Sequence, residues 1–224
     1  GSFEREMRDM GLGLVVWANI YKAFMPNVRI ENRTVGDYLF TTYRTPVGEL
    51  RSKTRIGMRF QRPGGSWTIE HPVKNTKDLE ALSFMIEDTV YEPDYESYDQ
   101  ITEDIGSDGV VTVWSDYTPL MKIIVRYMGY RTFAIMCHRN RDMVERLIEK
   151  IDRSYQKMFR IVAESPAEIV RLGDNIDSVL VSPDLFERYC LPYYNSYSAI
   201  LKARGKIVIS HMDGRLNVLK DLIA

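Results

Sequence analysis

The stretch Lys206-Ile-Val-Ile-Ser-His-Met-Asp-Gly214 decides the fold class. Its short apolar run has the composition of a β-strand and ends at His211 and Asp213, before a helix-like segment at 215–224. Side chains at the carboxyl end of a strand in a parallel α/β barrel face the active site. Because residues two apart on a strand point the same way, we expect His211 and Asp213 to meet on one metal ion or one substrate. A buried histidine bonded to a nearby aspartate is the structural alternative.

Three earlier apolar runs show the same pattern of a buried strand followed by polar residues. They cover residues 12–18, 110–115 and 167–172, and the last strand covers 206–210. Helical segments alternate with these strands in the later half of the chain. Apolar residues recur at helical spacing over 142–164, and Ser182-Pro183-Asp184 is a typical helix start for a helix that we expect to run to residue 204 with a bend at Pro192. This alternation predicts an α/β protein with a parallel sheet or barrel.

Residues 37–73 have a different pattern, which predicts an antiparallel β-meander inserted between barrel units. Apolar and polar residues alternate there, and Thr45-Pro46-Val47-Gly48 and Pro63-Gly64-Gly65 are turn sequences. A complete (β/α)8 barrel needs about 250 residues. The chain has 224 and only four convincing buried strands. We therefore expect a single domain over 1–224, a TIM-like (β/α) barrel truncated at both ends.

Composition excludes several classes of function. The formal net charge of −1 argues against a nucleic-acid or anionic-membrane partner. No apolar run reaches transmembrane length, and two cysteines fit a reducing cytoplasm rather than a disulfide scaffold. Composition leaves the oligomeric state open.

Polar and aromatic residues at the strand ends form the candidate site. They lie in Trp17-Ala18-Asn19, Ser115-Asp116-Tyr117 and Gly173-Asp174-Asn175. Because four parallel strand ends meet around one pocket, we expect Asp116, Asp174 and Asn175 to be catalytic and Trp17, Asn19 and Tyr117 to bind substrate. Each group alone is also typical of a turn or helix cap. His71 and His138 fit packing or surface roles better than a metal site.

Residues 108–224 resemble the uroporphyrinogen decarboxylase superfamily. The resemblance rests on Gly173-Asp174-Asn175, Ser182-Pro183-Asp184-Leu185-Phe186, Leu191-Pro192-Tyr193-Tyr194 and His211-Met212-Asp213-Gly214. The segments Thr45-Pro46-Val47-Gly48 and Glu70-His71-Pro72-Val73-Lys74 are similar to its methyltransferase-like branch. The resemblance implies a TIM-like barrel with its pocket at the carboxyl ends of the strands.

Two chemistries follow from this resemblance. The decarboxylases act on porphyrinogen acetate groups with an aspartate after the second strand, and here the matching position carries Asn19. The chain also lacks their early arginine-rich segment. Tyr127, in Arg126-Tyr127-Met128, matches a decarboxylase feature and is a further candidate for substrate binding.

The methyltransferase branch includes enzymes that bind zinc through an H-x-C pair and a later cysteine. The matching pair here is His211 and Asp213, and we expect the third ligand beyond residue 224. An H-x-D site suits Lewis-acid activation of a methylated donor. The leading prediction is therefore metal-assisted methyl transfer between a methoxy- or methylamine-type donor and a corrinoid carrier protein. The alternatives are a decarboxylase of tetrapyrrole (heme) biosynthesis and a non-catalytic corrinoid- or tetrapyrrole-binding barrel.

Overall fold

The computed structural model describes residues 2–57, 65–212 and 214–223. They form a mixed α/β protein with a parallel and an antiparallel sheet of four strands each and a smaller two-stranded sheet. The chain divides into two compact units. The parallel-sheet unit comprises residues 1–23, 91–118 and 155–224, and the antiparallel-sheet unit comprises 24–90 and 119–154.

The strands of the described residues are, in chain order, β1 (Leu14–Ala18), β2 (Tyr21–Phe24), β3 (Arg29–Val35), β4 (Tyr38–Thr45), β5 (Gly48–Ile56), β6 (Ser66–Glu70), β7 (Val90–Pro93), β8 (Gly109–Trp114), β9 (Ile169–Gly173) and β10 (Ile207–His211). The α-helices are α1 (Ser2–Asp9), α2 (Leu79–Asp88), α3 (Glu96–Ile105), α4 (Pro119–Lys122), α5 (Gly129–Arg139), α6 (Arg141–Glu164), α7 (Pro183–Tyr189), α8 (Leu191–Lys202) and α9 (Lys220–Ile223). A 3₁₀ turn, Thr76–Asp78, precedes α2, and a π-helical stretch, Ile123–Met128, joins α4 to α5.

The parallel sheet consists of the four strands that the sequence predicts, in the order β1-β8-β9-β10. All its described pairings are parallel, so the four carboxyl ends lie along one edge. Within the described part of the chain β1 and β10 each pair with one neighbour, and the sheet is open there.

The two faces of this sheet differ in exposure. Val113, Val170 and Leu172 are buried on one face. Helix α8 packs against β10 on this unit, and its Tyr197 stacks on Phe159 with ring centroids 4.0 Å apart. The opposite face carries exposed apolar side chains, which alternate with the buried ones along each strand. These are Val15, Trp17, Val110, Ile207 and Ile209. One face of the sheet is therefore covered by the core, and the other is open.

The antiparallel-sheet unit contains the predicted meander region. Strands β3, β4, β5 and β6 pair with sequential neighbours, so the sheet begins at Arg29 rather than at residue 37. Helix α2 packs on β4 and β5, where Leu50 and Leu82 are buried. The 3₁₀ turn that precedes α2 begins with a capping box: the Asn75 side chain accepts a hydrogen bond from Lys77 N–H at 2.9 Å, and the Asp78 carboxylate accepts one from Asn75 N–H at 3.1 Å. Two statements stay predictions: this sheet interrupts a barrel, and residues 1–224 form one domain.

Two helix predictions at the C-terminal end are wrong. The predicted helix over 182–204, bent at Pro192, is two helices that meet at Cys190. The Pro192 nitrogen carries no hydrogen, so the helix cannot continue its bonding pattern through that turn. The helix expected from residue 215 is only α9, because the Arg215 carbonyl instead accepts a hydrogen bond from Ser178 N–H at 3.1 Å.

In the described residues, every helix is too short or too polar to cross a bilayer. Cys137 and Cys190 are both buried and free of disulfide bonds. The cytoplasmic location stays a prediction.

Candidate functional site

Backbone hydrogen bonds connect the carboxyl ends of β8, β9 and β10, in addition to the bonds of the sheet. Gly173 N–H donates to the Asp116 carbonyl at 3.4 Å, and Asp174 N–H donates to the His211 carbonyl at 3.3 Å. The structure therefore brings together three of the four predicted strand ends, with Asp116, Asp174 and His211 as near neighbours. β1 lies beside β8 on the other side.

Asp174 is buried, with 1% of its surface exposed, and its carboxylate is fully engaged by protein groups. The N–H of Thr118 donates to Oδ1 at 2.7 Å, and the Thr118 hydroxyl donates to Oδ2 at 2.7 Å. The Tyr194 hydroxyl donates to Oδ2 at 2.8 Å. The next residue, Asn175, is exposed. This arrangement fixes the β8–α4 loop and α8 to the end of β9, which suits a positioning role for Asp174.

Burial raises the pKa of Asp174 to about 7, although the hydrogen bonds from Thr118 and Tyr194 lower it. Burial, followed by the charge of Asp174, also raises the pKa of the Tyr194 hydroxyl and of the Cys190 thiol. The site thus contains a carboxyl that exchanges its proton near neutral pH, surrounded by groups that stay protonated there.

Asp116 has a backbone conformation that residues other than glycine rarely adopt, with φ at 94°. Its Oδ1 accepts a hydrogen bond from Tyr117 N–H at 2.8 Å, so the side chain stabilises the turn that follows β8. The turn places Thr118 against Asp174. Strain of this kind is common at functional sites, where the surrounding structure maintains it.

The predicted substrate-binding residues divide into exposed and buried ones. Trp17 is 56% exposed on the open face of the sheet, and Asn19 is exposed just beyond β1. Tyr117 is buried and packs edge-on against Trp114, with ring centroids 5.6 Å apart. Tyr127 belongs to the antiparallel-sheet unit, where its carbonyl accepts a hydrogen bond from Val73 N–H at 2.9 Å.

Sequence reasoning missed Arg171, a cation in the middle of the apolar strand β9. Its guanidinium carbon lies 4.7 Å from the ring centroid of Trp17 and 5.1 Å from that of Trp114. The two indole rings are 6.0 Å apart. The sequence pattern that could have revealed Arg171 is the alternation of side chains along β9. It puts Arg171 on the face opposite the buried Val170 and Leu172.

Tyr21 on β2 was also missed, because that short strand has no clear pattern. Its hydroxyl donates to the Ser115 carbonyl at 3.4 Å. Burial, then the charge of Asp116, raises the pKa of Tyr21 well above its ordinary value. The phenol therefore stays protonated near the end of β8.

His211 is the last residue of β10 and is half-buried. Its predicted partner Asp213 lies outside the described residues. Elsewhere in the chain, no group of three His, Cys, Asp or Glu side chains among the described residues is close enough to hold a metal ion. His211 offers a nitrogen donor that zinc accepts, but the described donors alone do not make a zinc site.

Comparison with known proteins gives the family. The family model of uroporphyrinogen decarboxylase (URO-D) matches residues 55–224, which is more than half of the chain. The chain therefore belongs to the URO-D family. No curated protein matches it.

A solved structure, a methyltransferase from Methanosarcina mazei, is similar at 13% sequence identity with a TM-score of 0.49. The similarity covers 75% of this chain and 48% of that protein, so the chain spans about half the length of this relative.

Proposed function

We propose that the protein is an enzyme that transfers a methyl group between a small methylated donor and a corrinoid carrier protein. Membership of the URO-D family supports an enzyme, and the strand-end position of the candidate site supports chemistry at that edge. We further propose that the parallel sheet is part of a TIM-like barrel whose open face is the interior.

The observation that carries the choice of methyl transfer is the neutral amide of Asn19 at the end of β1. The family resemblance places the decarboxylase aspartate there, and a carboxylate is what would stabilise positive charge developing on a pyrrole ring. Asn19 is exposed and cannot supply that charge. The buried Asp174 does not replace it, because its oxygens are bonded to Thr118 and Tyr194.

The chain's own residues have distinct roles in this proposal. Asp174 positions the β8–α4 loop, and Asp116 holds the strained turn that follows β8 at the same edge of the sheet. His211, at the carboxyl end of β10, is proposed to bind zinc together with Asp213. When bound, zinc supplies Lewis-acid activation of the donor heteroatom.

Decarboxylation is the second candidate, and the description of the matching family model favours it. One experiment separates the two. The purified protein is incubated with a porphyrinogen, and separately with reduced cobalamin and a panel of methoxy and methylamine donors. Methylcobalamin formation without loss of carbon dioxide from the porphyrinogen is the expected result. Conversion of acetate to methyl side chains would overturn the proposal in favour of decarboxylation.

Tight tetrapyrrole or corrinoid binding with neither reaction would also overturn the proposed activity. It would support the third alternative, a binding protein without catalysis. Zinc content of the same preparation, measured for wild type and His211→Ala, tests the metal assignment by itself.

A further inference from the structure

Arg171 is the one strongly charged group that the described residues place within the open face of the parallel sheet. The row formed by Trp114, Arg171 and Ile209 crosses β8, β9 and β10, because Arg171 is in register with both of the others. Trp17 reaches the same guanidinium from β1. The Arg171 guanidinium therefore lies against two aromatic rings, on a face of the sheet that also exposes the apolar side chains of Ile207 and Ile209.

Within the described residues, the stacking leaves the hydrogen-bonding edge of the Arg171 guanidinium without a carboxylate partner. Both indoles contact Arg171 through their π faces, and such contacts do not use its N–H donors. No carboxylate of the described residues forms an ion pair with it. A half-buried cation is normally paired, since burial without a partner costs free energy.

The neighbouring backbone is shaped to hold this arrangement. A Cβ atom on Gly173 would lie 2.8 Å from Cζ2 of Trp114, which is too close for a real contact. Glycine at this position lets the indole lie against β9 beside Arg171. The position of the Trp114 ring therefore depends on close packing against the β9 backbone, and not only on contacts between surface side chains.

We propose that Arg171 binds the carboxylate of an organic anion whose apolar body lies against Trp17 and Ile209. The planar guanidinium pairs with a carboxylate through two parallel hydrogen bonds, and the exposed apolar side chains offer a surface for the rest of the ligand. The identification of this ligand as the methyl donor rests on the proposed function. An anionic methoxy compound then fits the site, whereas a cationic methylamine is repelled.

The test measures binding without turnover, so it is independent of methyl transfer. Cyclohexanecarboxylate is titrated into the 224-residue protein and followed by tryptophan fluorescence, with cyclohexanecarboxamide as the uncharged equivalent. Saturable binding of the acid, with at least about tenfold weaker binding of the amide, is expected. Binding of both ligands alike, or of neither, overturns the proposal.

Substitutions at Arg171 and at a control arginine show where on the protein the carboxylate binds. Arg171→Gln should weaken carboxylate binding at least about tenfold, whereas Arg160→Gln, an exposed arginine on α6, should leave it unchanged. Circular dichroism and the thermal midpoint establish that both variants fold. If Arg171→Gln is unfolded, the variants Trp17→Phe and Trp67→Phe test the site instead. Loss of the fluorescence response in Trp17→Phe but not in Trp67→Phe supports the site. Loss of the response in Trp67→Phe overturns it.

A titration with inorganic phosphate tests whether the site requires a ligand with an apolar body or binds any oxyanion. Phosphate binding as tight as that of cyclohexanecarboxylate overturns the assignment, because no apolar body would then be needed. If carboxylate binding depends on Arg171 but methyl transfer is absent, the proposed function fails and the anion site stands.

Discussion

Thr118 donates two hydrogen bonds to the buried carboxylate of Asp174, one from its backbone N–H and one from its hydroxyl, each at 2.7 Å. The pair connects the ends of two neighbouring strands, β8 and β9. Because the carboxyl is shielded from water, its ionisation is coupled to the stability of this edge of the sheet.

Stability should fall as the pH rises from about 4 to about 7. The folded pKa of Asp174 is raised from 3.8 to about 7, so the folded state holds this proton more tightly than the unfolded chain. Below the lower value both states are protonated, and above the higher value the folded state bears a buried charge. The slope from this group approaches about 1.4 kcal/mol per pH unit inside the window.

Asp174→Asn should remove that slope, because the amide does not titrate. Urea unfolding at several pH values measures it, with Asp221→Asn on the exposed surface of α9 as the matched control. The control should keep the wild-type pH profile. An unchanged slope in Asp174→Asn would contradict the assignment.

Gly173→Ala should destabilise the protein by about 1–3 kcal/mol, since the new methyl group meets the Trp114 ring at 2.8 Å. The displaced indole should also change the tryptophan fluorescence spectrum of the folded protein. Gly13→Ala is the control, because a Cβ there meets no atom within 4 Å. Equal stability losses in the two variants would show that Trp114 does not pack on Gly173.

Asp116→Ala should be less stable than Asp116→Gly by about 1–2 kcal/mol, because only glycine adopts a φ of 94° without strain. Both variants lose the carboxylate and its bond to Tyr117 N–H, so their difference isolates the backbone. Thermal unfolding measures this difference. If Asp116 also acts on substrate, both variants should lose activity to the same extent, whereas a purely structural role would affect Ala more than Gly.

Much of the fold follows from local sequence pattern. The four apolar runs are predicted as parallel strands because each is short, β-branched and followed by polar residues, and the sheet joins all four. Ser182 is predicted as a helix cap, and its hydroxyl does accept from Leu185 N–H at 3.4 Å. Strands β2 and β7 escape prediction because they are four residues each and lack alternation.

The site is predicted less completely, because its details depend on contacts between distant segments. Strand ends such as Asp116 and Asp174 are found from position alone. That Asp174 turns toward Thr118 and Tyr194 is a tertiary contact with no sequence signature. Arg171 is missed because a single cation in an apolar strand gains meaning only when Trp17 and Trp114 flank it.

The central claim is that the chemistry occurs at the carboxyl ends of the parallel strands, and His211 tests it most directly. The measurement is the rate of methyl transfer to reduced cobalamin by wild type, His211→Ala and His138→Ala. His138 is an exposed histidine on α5 and serves as the matched control. The account predicts that His211→Ala loses about a hundredfold or more in rate, while His138→Ala retains the wild-type rate. A His211→Ala variant as active as wild type, or no methyl transfer by any of the three, would contradict it.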